Sequence, residues 1–350
     1  MMKPSQVEVK SIVVSNDENP PGASDHDGGT KKAQTMRIAA FDRHKMFLNR
    51  KVVMFVRNAE RVDREFPEWL QTNITDTGEY YPTDLNLPPT MYARPEGPQG
   101  YIDDSPITEI GNLNAQIVGR ALRLHDVWPL TKIVCSPSLR CVQTADAIVK
   151  GLNKPIGICL EPALFDWGHW YKQVPSFLSN EELLRCGFPI DASYVPLKSF
   201  DDIALLAASE SIEHFYARIR IAVDRLTSVP TADRILIVAH ATVLDAGVKA
   251  LRRCSPRLIT ENDMLHMGTH YPYTSSVALA QHQGVCGCYF HSIYNFDCFQ
   301  NWSFVHEPIS PMSYLGISNR INAKFVNRTT KIKDIVVKKT PEPESKKANA

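Results

Sequence analysis

Four side chains suited to holding an anion stand directly after three short apolar runs of this sequence. Val52–Val56 (VVMFV) leads into Arg57-Asn58-Ala59-Glu60-Arg61, Lys132–Ser136 (KIVCS) into Pro137-Ser138-Leu139-Arg140, and the run ending in ILIVA into His240-Ala241-Thr242. A guanidinium offers forked N–H donors that match the oxygens of a phosphate, and an imidazole can donate to one as well. A single arginine after a strand is ordinarily a surface charge, and a single histidine is ordinarily structural. Recurrence after three separate apolar runs makes them a set, and it predicts an electropositive cup formed by Arg57, Arg61, Arg140 and His240. Other chemistry is weaker. Cys135 and Arg140 enclose four residues where a cysteine phosphatase loop needs five, so Cys135 reads as a core thiol. Cys286, Cys288, His266 and His270 lack a second pair at a zinc spacing, so no metal and no cofactor is expected. Phe165, Trp167, Trp170 and Tyr171 read either as packing under a loop or as a wall at the pocket mouth. Glu60 reads either as a partner for an arginine or as an exposed charge.

The elements that must position these residues alternate between strand and helix. The three apolar runs have the length and continuity of strands buried on both faces. Between them, Glu109–Leu124 places Ile110, Leu113, Ile117, Val118 and Ala121 on one face, with Thr108 as N-cap. Ser138–Leu152 and Ser211–Leu226 read likewise, the latter through Ile212, Phe215, Ile219, Ala222 and Leu226. This alternation predicts an α/β fold, a three-layer α/β/α sandwich around a mostly parallel sheet, with functional residues at the carboxyl ends of its strands. After Ser275, VALA and CGCYFHSIY read as late strands that add an antiparallel edge. The Pro-, Thr- and Tyr-containing stretch Glu68–Tyr101 reads as a long loop near the pocket mouth.

Composition limits the classes of function. The 350 residues are 43% apolar and 22% charged, and 39 Lys and Arg against 38 Asp and Glu leave +1. That balance excludes a chain-wide attraction for nucleic acid or membrane surfaces. No apolar run approaches the roughly 18–20 residues of a membrane span, and no secretory signal is recognisable at the start. Eight scattered cysteines read as reduced thiols. The expected location is cytoplasmic, with the nucleus as the other compartment. Residues 1–48 read as a disordered segment, 49–316 as the globular domain, and 317–350 as a basic, disordered tail. From Lys324 onward that tail carries eight basic residues against three acidic ones.

Taken in order, VRNAER (56–61), DSPITEIG (104–111), CSPSLRCVQTA (135–145), EPALFDW (161–167) and ILIVAHATVLDA (235–246) resemble the histidine phosphatase superfamily, the phosphoglycerate mutase-like proteins. Within it, they are similar to the phosphatase domain of the suppressor of T-cell receptor signalling proteins. The likeness spans about residues 50–310; no ubiquitin-associated or SH3 segment is recognisable upstream. It implies a three-layer fold and metal-free phosphoryl transfer, in which the His of an Arg-His-Gly motif attacks phosphorus and water then releases phosphate. It further implies that Arg57, Arg61 and Arg140 hold the phosphate with the second histidine, His240, and that Glu161 is the acid that protonates the leaving oxygen.

At the nucleophile position the sequence departs from that pattern. Arg57-Asn58-Ala59 stands where the family has Arg-His-Gly. A carboxamide nitrogen is delocalised into its carbonyl and cannot attack phosphorus. Losing the nucleophile from a coupled set costs on the order of 10⁶ in kcat in another enzyme class. Ala59 in place of glycine matters only if its φ is positive. The expected function is therefore that of a pseudophosphatase with a pocket for phosphate or a phosphorylated ligand. Two alternatives stand beside it: an active phosphatase with another nucleophile, and an interaction protein acting through its basic tail. A protein partner and a homodimer are both compatible with the sequence.

Overall fold

The computed structural model describes residues 51–125, 130–206, 209–229, 233–254, 259–282 and 301–309. The segments 1–48 and 317–350 and the stretch CGCYFHSIY, with Cys286 and Cys288, lie outside the described residues. One six-stranded sheet is built from β1 (Val52–Arg57), β2 (Lys132–Cys135), β3 (Ile158–Leu160), β4 (Arg234–Ala239), β5 (Ser276–His282) and β6 (Asn301–Ile309). Its order is β3-β2-β4-β1-β5-β6. The first four strands run parallel, while β5 is antiparallel to β1 and β6 antiparallel to β5.

The central strands are apolar without interruption because helices cover both faces. Met54, Val56, Leu236 and Val238 pack with residues of α1 (Glu109–His125) and α2 (Leu139–Leu152). The alternate residues Val53, Phe55, Ile235 and Ile237 pack with α3 (Ile212–Ser228), α4 (Ala241–Leu251) and α5 (Glu261–His270). The result is the three-layer α/β/α sandwich that the strand–helix alternation predicts, and VALA forms the antiparallel strand β5 expected beside it.

Several details differ from the sequence reading. The buried face of α1 is Ala115, Val118, Ala121 and Leu122, while Leu113 is 57% exposed. The helix is turned because it meets α2 through small residues: a Cβ on Gly119 would lie 2.1 Å from the Ile148 carbonyl oxygen. Helix α4 is buried except for the narrow stripe of Asp245 and Lys249, which pair at i,i+4, so its polar face is too thin to mark a helix in the sequence. Strand β3 is only three residues long. The stretch 68–101 is largely irregular, as expected of a loop, but none of its residues lines the cavity described below. It contains the helix Trp69–Asn73 and the 3₁₀ turn Gly97–Tyr101, and it buries Trp69, Leu87 and Tyr101 in the α1–α2 layer. Its Arg94 reaches inward to pair with Asp104 at 2.6 Å, both fully buried.

Candidate functional site

The strands that end in the anion-suited residues are neighbours in the sheet, in the order β2-β4-β1. Three segments distant in sequence thereby deliver their carboxyl ends to one edge. Arg57, Asn58, Arg61 and His240 line a cavity of about 300 Å³ there, together with Asp166, Trp170, Met264 and Gly268. Arg140 is fully buried and meets this group through His240. Its Nη2 donates to the Tyr171 hydroxyl at 3.0 Å and lies 3.4 Å from Nδ1 of His240. Glu161, in contrast, is not among the residues lining the cavity.

The arginines do not stand as bare charges, because buried guanidinium groups need partners. Arg61 forks onto Asp63 at 2.9 and 2.6 Å. Arg140 lies 3.9 Å from Asp104 and 3.8 Å from Asp166. Arg57 donates through Nη1 to the carbonyls of Gly268 and Tyr271. Yet the Nε–H groups of Arg57 and Arg140 are buried without a hydrogen-bond partner among the described residues, an unusual condition for donors of that strength. Burial works against the charge of Arg140, but Tyr171, Asp166 and Asp104 hold it protonated above the ordinary arginine value.

His240 is 2% exposed at the start of α4, its ring edge-on to Phe165. Its Nε2 shares a 2.8 Å hydrogen bond with the Ser136 hydroxyl, and its Nδ1 lies 3.4 Å from an Asp166 oxygen. Burial, with the field of Arg140, Arg61 and Arg57, outweighs Asp166 and pushes the imidazole down to about 3. The ring is neutral at neutral pH. For Asp166, burial opposes ionisation, but His240, Arg140, the Thr242 hydroxyl and the Trp167 amide together hold its carboxyl below the ordinary range. The loop that carries it is fixed by Arg218, which donates to the carbonyls of Ala163, Phe165 and Asp166 and pairs with Glu210.

Asn58 is buried, and its carboxamide nitrogen donates to the carbonyl of Ala59 at 2.9 Å. The Ala59 N–H donates to Thr144 Oγ1, which donates in turn to the Arg140 carbonyl, so the loop after β1 is tied to α2. The φ of Ala59 is not positive, and its methyl causes no backbone strain. Glu60 is neither an arginine partner nor exposed: it is buried and accepts from Thr108 and Asn86. Thr108 also accepts from the N–H of Gly111, the N-cap bond expected of it.

Both oxygens of Glu161 are occupied by its own scaffold, namely the amides of Ala163, Leu197 and Lys198 and the Tyr194 hydroxyl. Of the two acids in this motif the one that lines the cavity is Asp166, five residues further along, and Glu65 lines it from the segment after β1. One signal could have separated the two. Glu161 directly precedes Pro162, the arrangement of a cap before a helical turn. The sequence gives no sign of the roles of Asp104 and Tyr171 beside the Arg140 guanidinium, of Ser136 on the His240 ring, or of Thr144 between Ala59 and the Arg140 carbonyl, because each depends on a tertiary neighbour. Among the aromatic group, Phe165, Trp167 and Tyr171 are buried packing and Trp170 lines the cavity. Cys135 is a core thiol, its pKa raised by burial. Among the described residues no cluster of His, Cys, Asp and Glu could hold a metal ion, and no described helix is long and apolar enough to cross a membrane.

Comparison with known proteins agrees with the resemblance drawn from the motifs. The sequence profile of the histidine phosphatase superfamily (branch 1) matches residues 90–270, half of the chain. An ecdysteroid-phosphate phosphatase of Drosophila melanogaster is 36% identical over 241 residues, 68% of this chain and 31% of that protein. The human ubiquitin-associated and SH3 domain-containing protein A is 37% identical over 215 residues, 59% of this chain and 32% of that protein. The chain thus spans about a third of the length of these curated relatives. Among solved structures, the ecdysone phosphate phosphatase of Bombyx mori in complex with tungstate superposes with a TM-score of 0.58 at 29% identity, covering 66% of this chain and 89% of that one.

Proposed function

The chain belongs to the histidine phosphatase superfamily, and from that premise we propose that it is a pseudophosphatase, holding phosphate or a phosphorylated ligand without hydrolysing it. The observation that carries this reading is Asn58. In it, Asn58 occupies the place of the nucleophilic imidazole, and its side-chain nitrogen is a delocalised amide already donating to Ala59. Among the described residues, the aliphatic hydroxyl that lines the cavity, Thr242, is engaged with Asp166 at 2.6 Å. The Ser136 hydroxyl does touch an imidazole, but it is fully buried and does not line the cavity. Neither acid of the EPALFDW motif supplies the proton for the leaving oxygen, and the other carboxyl lining the cavity is Glu65. Glu161 is enclosed by its scaffold, and Asp166 is held ionised.

The same pocket is suited to binding. An oxyanion in the cavity meets Arg57, whose Nε–H has no other acceptor, and Arg61, which would exchange Asp63 for the ligand. The Asn58 amide can donate to a ligand oxygen, while neutral His240 adds no charge and Arg140 acts through it. The tungstate held by the Bombyx mori relative, an oxyanion like phosphate, supports this assignment. Trp170, Met264, Leu265 and Met267 form the apolar side of the cavity, with Leu265 68% exposed. They favour a phosphate ester with an apolar body, in keeping with the name of the Drosophila relative.

The test is turnover of para-nitrophenyl phosphate by the natural chain and by Asn58→His, alone and with Arg140→Ala. The natural chain should be silent, and Asn58→His should hydrolyse the ester at least about 10³-fold faster, an activity that Arg140→Ala abolishes. Turnover by the natural chain above an Arg140→Ala control would sink the proposal.

A further inference from the structure

We infer that Gly268 and Tyr273 are positioning residues that aim the unpaired edge of Arg57 at the anion, an inference that rests on the phosphate-binding reading above. A guanidinium has two usable forks, one between its terminal nitrogens and one between Nε and Nη2. In Arg57 the first is taken on one side: Nη1 donates to the Tyr271 carbonyl at 2.7 Å and to that of Gly268 at 3.2 Å. One face of the group lies 4.0 Å from the centre of the Tyr273 ring, within the range of a cation–π contact. The Nε–H is buried and has no partner among the described residues. The fork left for a ligand is therefore Nε–H with Nη2–H, and Arg57, Gly268 and Tyr273 all line the same cavity.

Glycine at 268 has its reason in this contact. Its φ is not positive, and inside α5 alanine would be the better helix former. But a Cβ at this position would lie 3.2 Å from Nη1 and 3.4 Å from Nη2 of Arg57. The guanidinium rests against the bare helix backbone there, with Tyr273 against it, and a methyl group would turn its free edge away.

Inorganic phosphate is titrated calorimetrically into the full-length chain and its variants, with Tm measured alongside. Gly268→Ala should lower phosphate affinity about tenfold while holding or raising Tm, since helix propensity and positioning act in opposite directions. Tyr273→Leu should lower affinity about fivefold, and Tyr273→Phe, which keeps the ring, should stay within about twofold of the natural chain. Unchanged affinity in both Gly268→Ala and Tyr273→Leu overturns the inference. If the natural chain binds no phosphate, the binding reading fails, and positioning is judged on Arg57 itself. Its Nε–H resonance, assigned by its loss in Arg57→Lys, has to move in Gly268→Ala; a resonance that stays in place overturns the inference.

Discussion

Glu161 and Asp166 are buried carboxylates on the same short stretch after β3, and what surrounds them differs in kind. Glu161 accepts three backbone amides and the Tyr194 hydroxyl, so both oxygens close local structure: a 3₁₀ turn on one side and the segment 194–198 on the other. Asp166 commits one oxygen to Thr242 and the Trp167 amide, and leaves the other facing His240 and Arg140. A carboxylate saturated by backbone belongs to the scaffold, whereas one with an oxygen turned toward cationic and titratable groups sets the charge of a pocket. The largest expected effect follows from the first. Glu161→Ala should lower unfolding stability by about 3–5 kcal/mol, because it strands several buried donors at once. Asp166→Asn should lose about 1–2 kcal/mol, since an amide oxygen still accepts from Thr242 and Trp167. Urea unfolding of the two variants side by side decides it; equal losses would remove the distinction.

The acid limb of stability sharpens the same contrast. The folded chain holds His240 at about 3 against an ordinary value of 6.5. Between those values the unfolded chain binds a proton that the folded one refuses, so stability must fall as pH falls through this window. The slope reaches up to about 1.4 kcal/mol per pH unit. Asp166, held low, adds to the loss only once pH falls below the ordinary carboxylate range. His240→Gln should therefore flatten the stability curve between about pH 6 and 4.5. Parallel slopes for the natural chain and His240→Gln would show that the imidazole is not held neutral by its surroundings.

How far the site could be read from the sequence depends on the range of the forces involved. The buried strands were legible because covering both faces of a sheet demands uninterrupted apolar runs, and VVMFV and RILIVA state that demand locally. Arg57, Arg61, Arg140 and His240 were legible as a set because carboxyl strand ends are where a parallel sheet places its ligands. What stayed hidden was decided by tertiary neighbours. The side-by-side order β2-β4-β1 leaves no local trace. Neither does the pairing of Arg140 with Asp104, whereas Asp63, two residues after Arg61, is a local partner. Between Glu161 and Asp166 the sequence offers two acids in one motif, and only the Pro after the first hints at which one caps a turn.

Asp166 also gives a binding prediction of intermediate size. Its ionised oxygen lies near the place an oxyanion must occupy, so like charges oppose each other in the occupied pocket. Asp166→Asn should raise affinity for inorganic phosphate by about tenfold in calorimetry at constant ionic strength. Glu161→Gln should leave it unchanged. A loss of affinity in Asp166→Asn would mean that the carboxylate serves chiefly to orient His240, and the division between scaffold and pocket would have to be redrawn.

The smallest effect is expected at Ala59, beside Asn58. Its φ is one that any residue adopts, and its N–H bond to Thr144 does not depend on the side chain. Its methyl is fully buried and approaches α1 at Gly111, where an added Cβ would come within 3.2 Å of it. Ala59→Gly should therefore cost about 1 kcal/mol of stability through backbone freedom and lost packing, with phosphate affinity unchanged. The methyl points to packing against a helix rather than to contact with an anion, and affinity is the quantity that separates the two. If Ala59→Gly strengthens phosphate binding more than about threefold, the methyl crowds the ligand, and residue 59 belongs to the pocket rather than to the packing of α1.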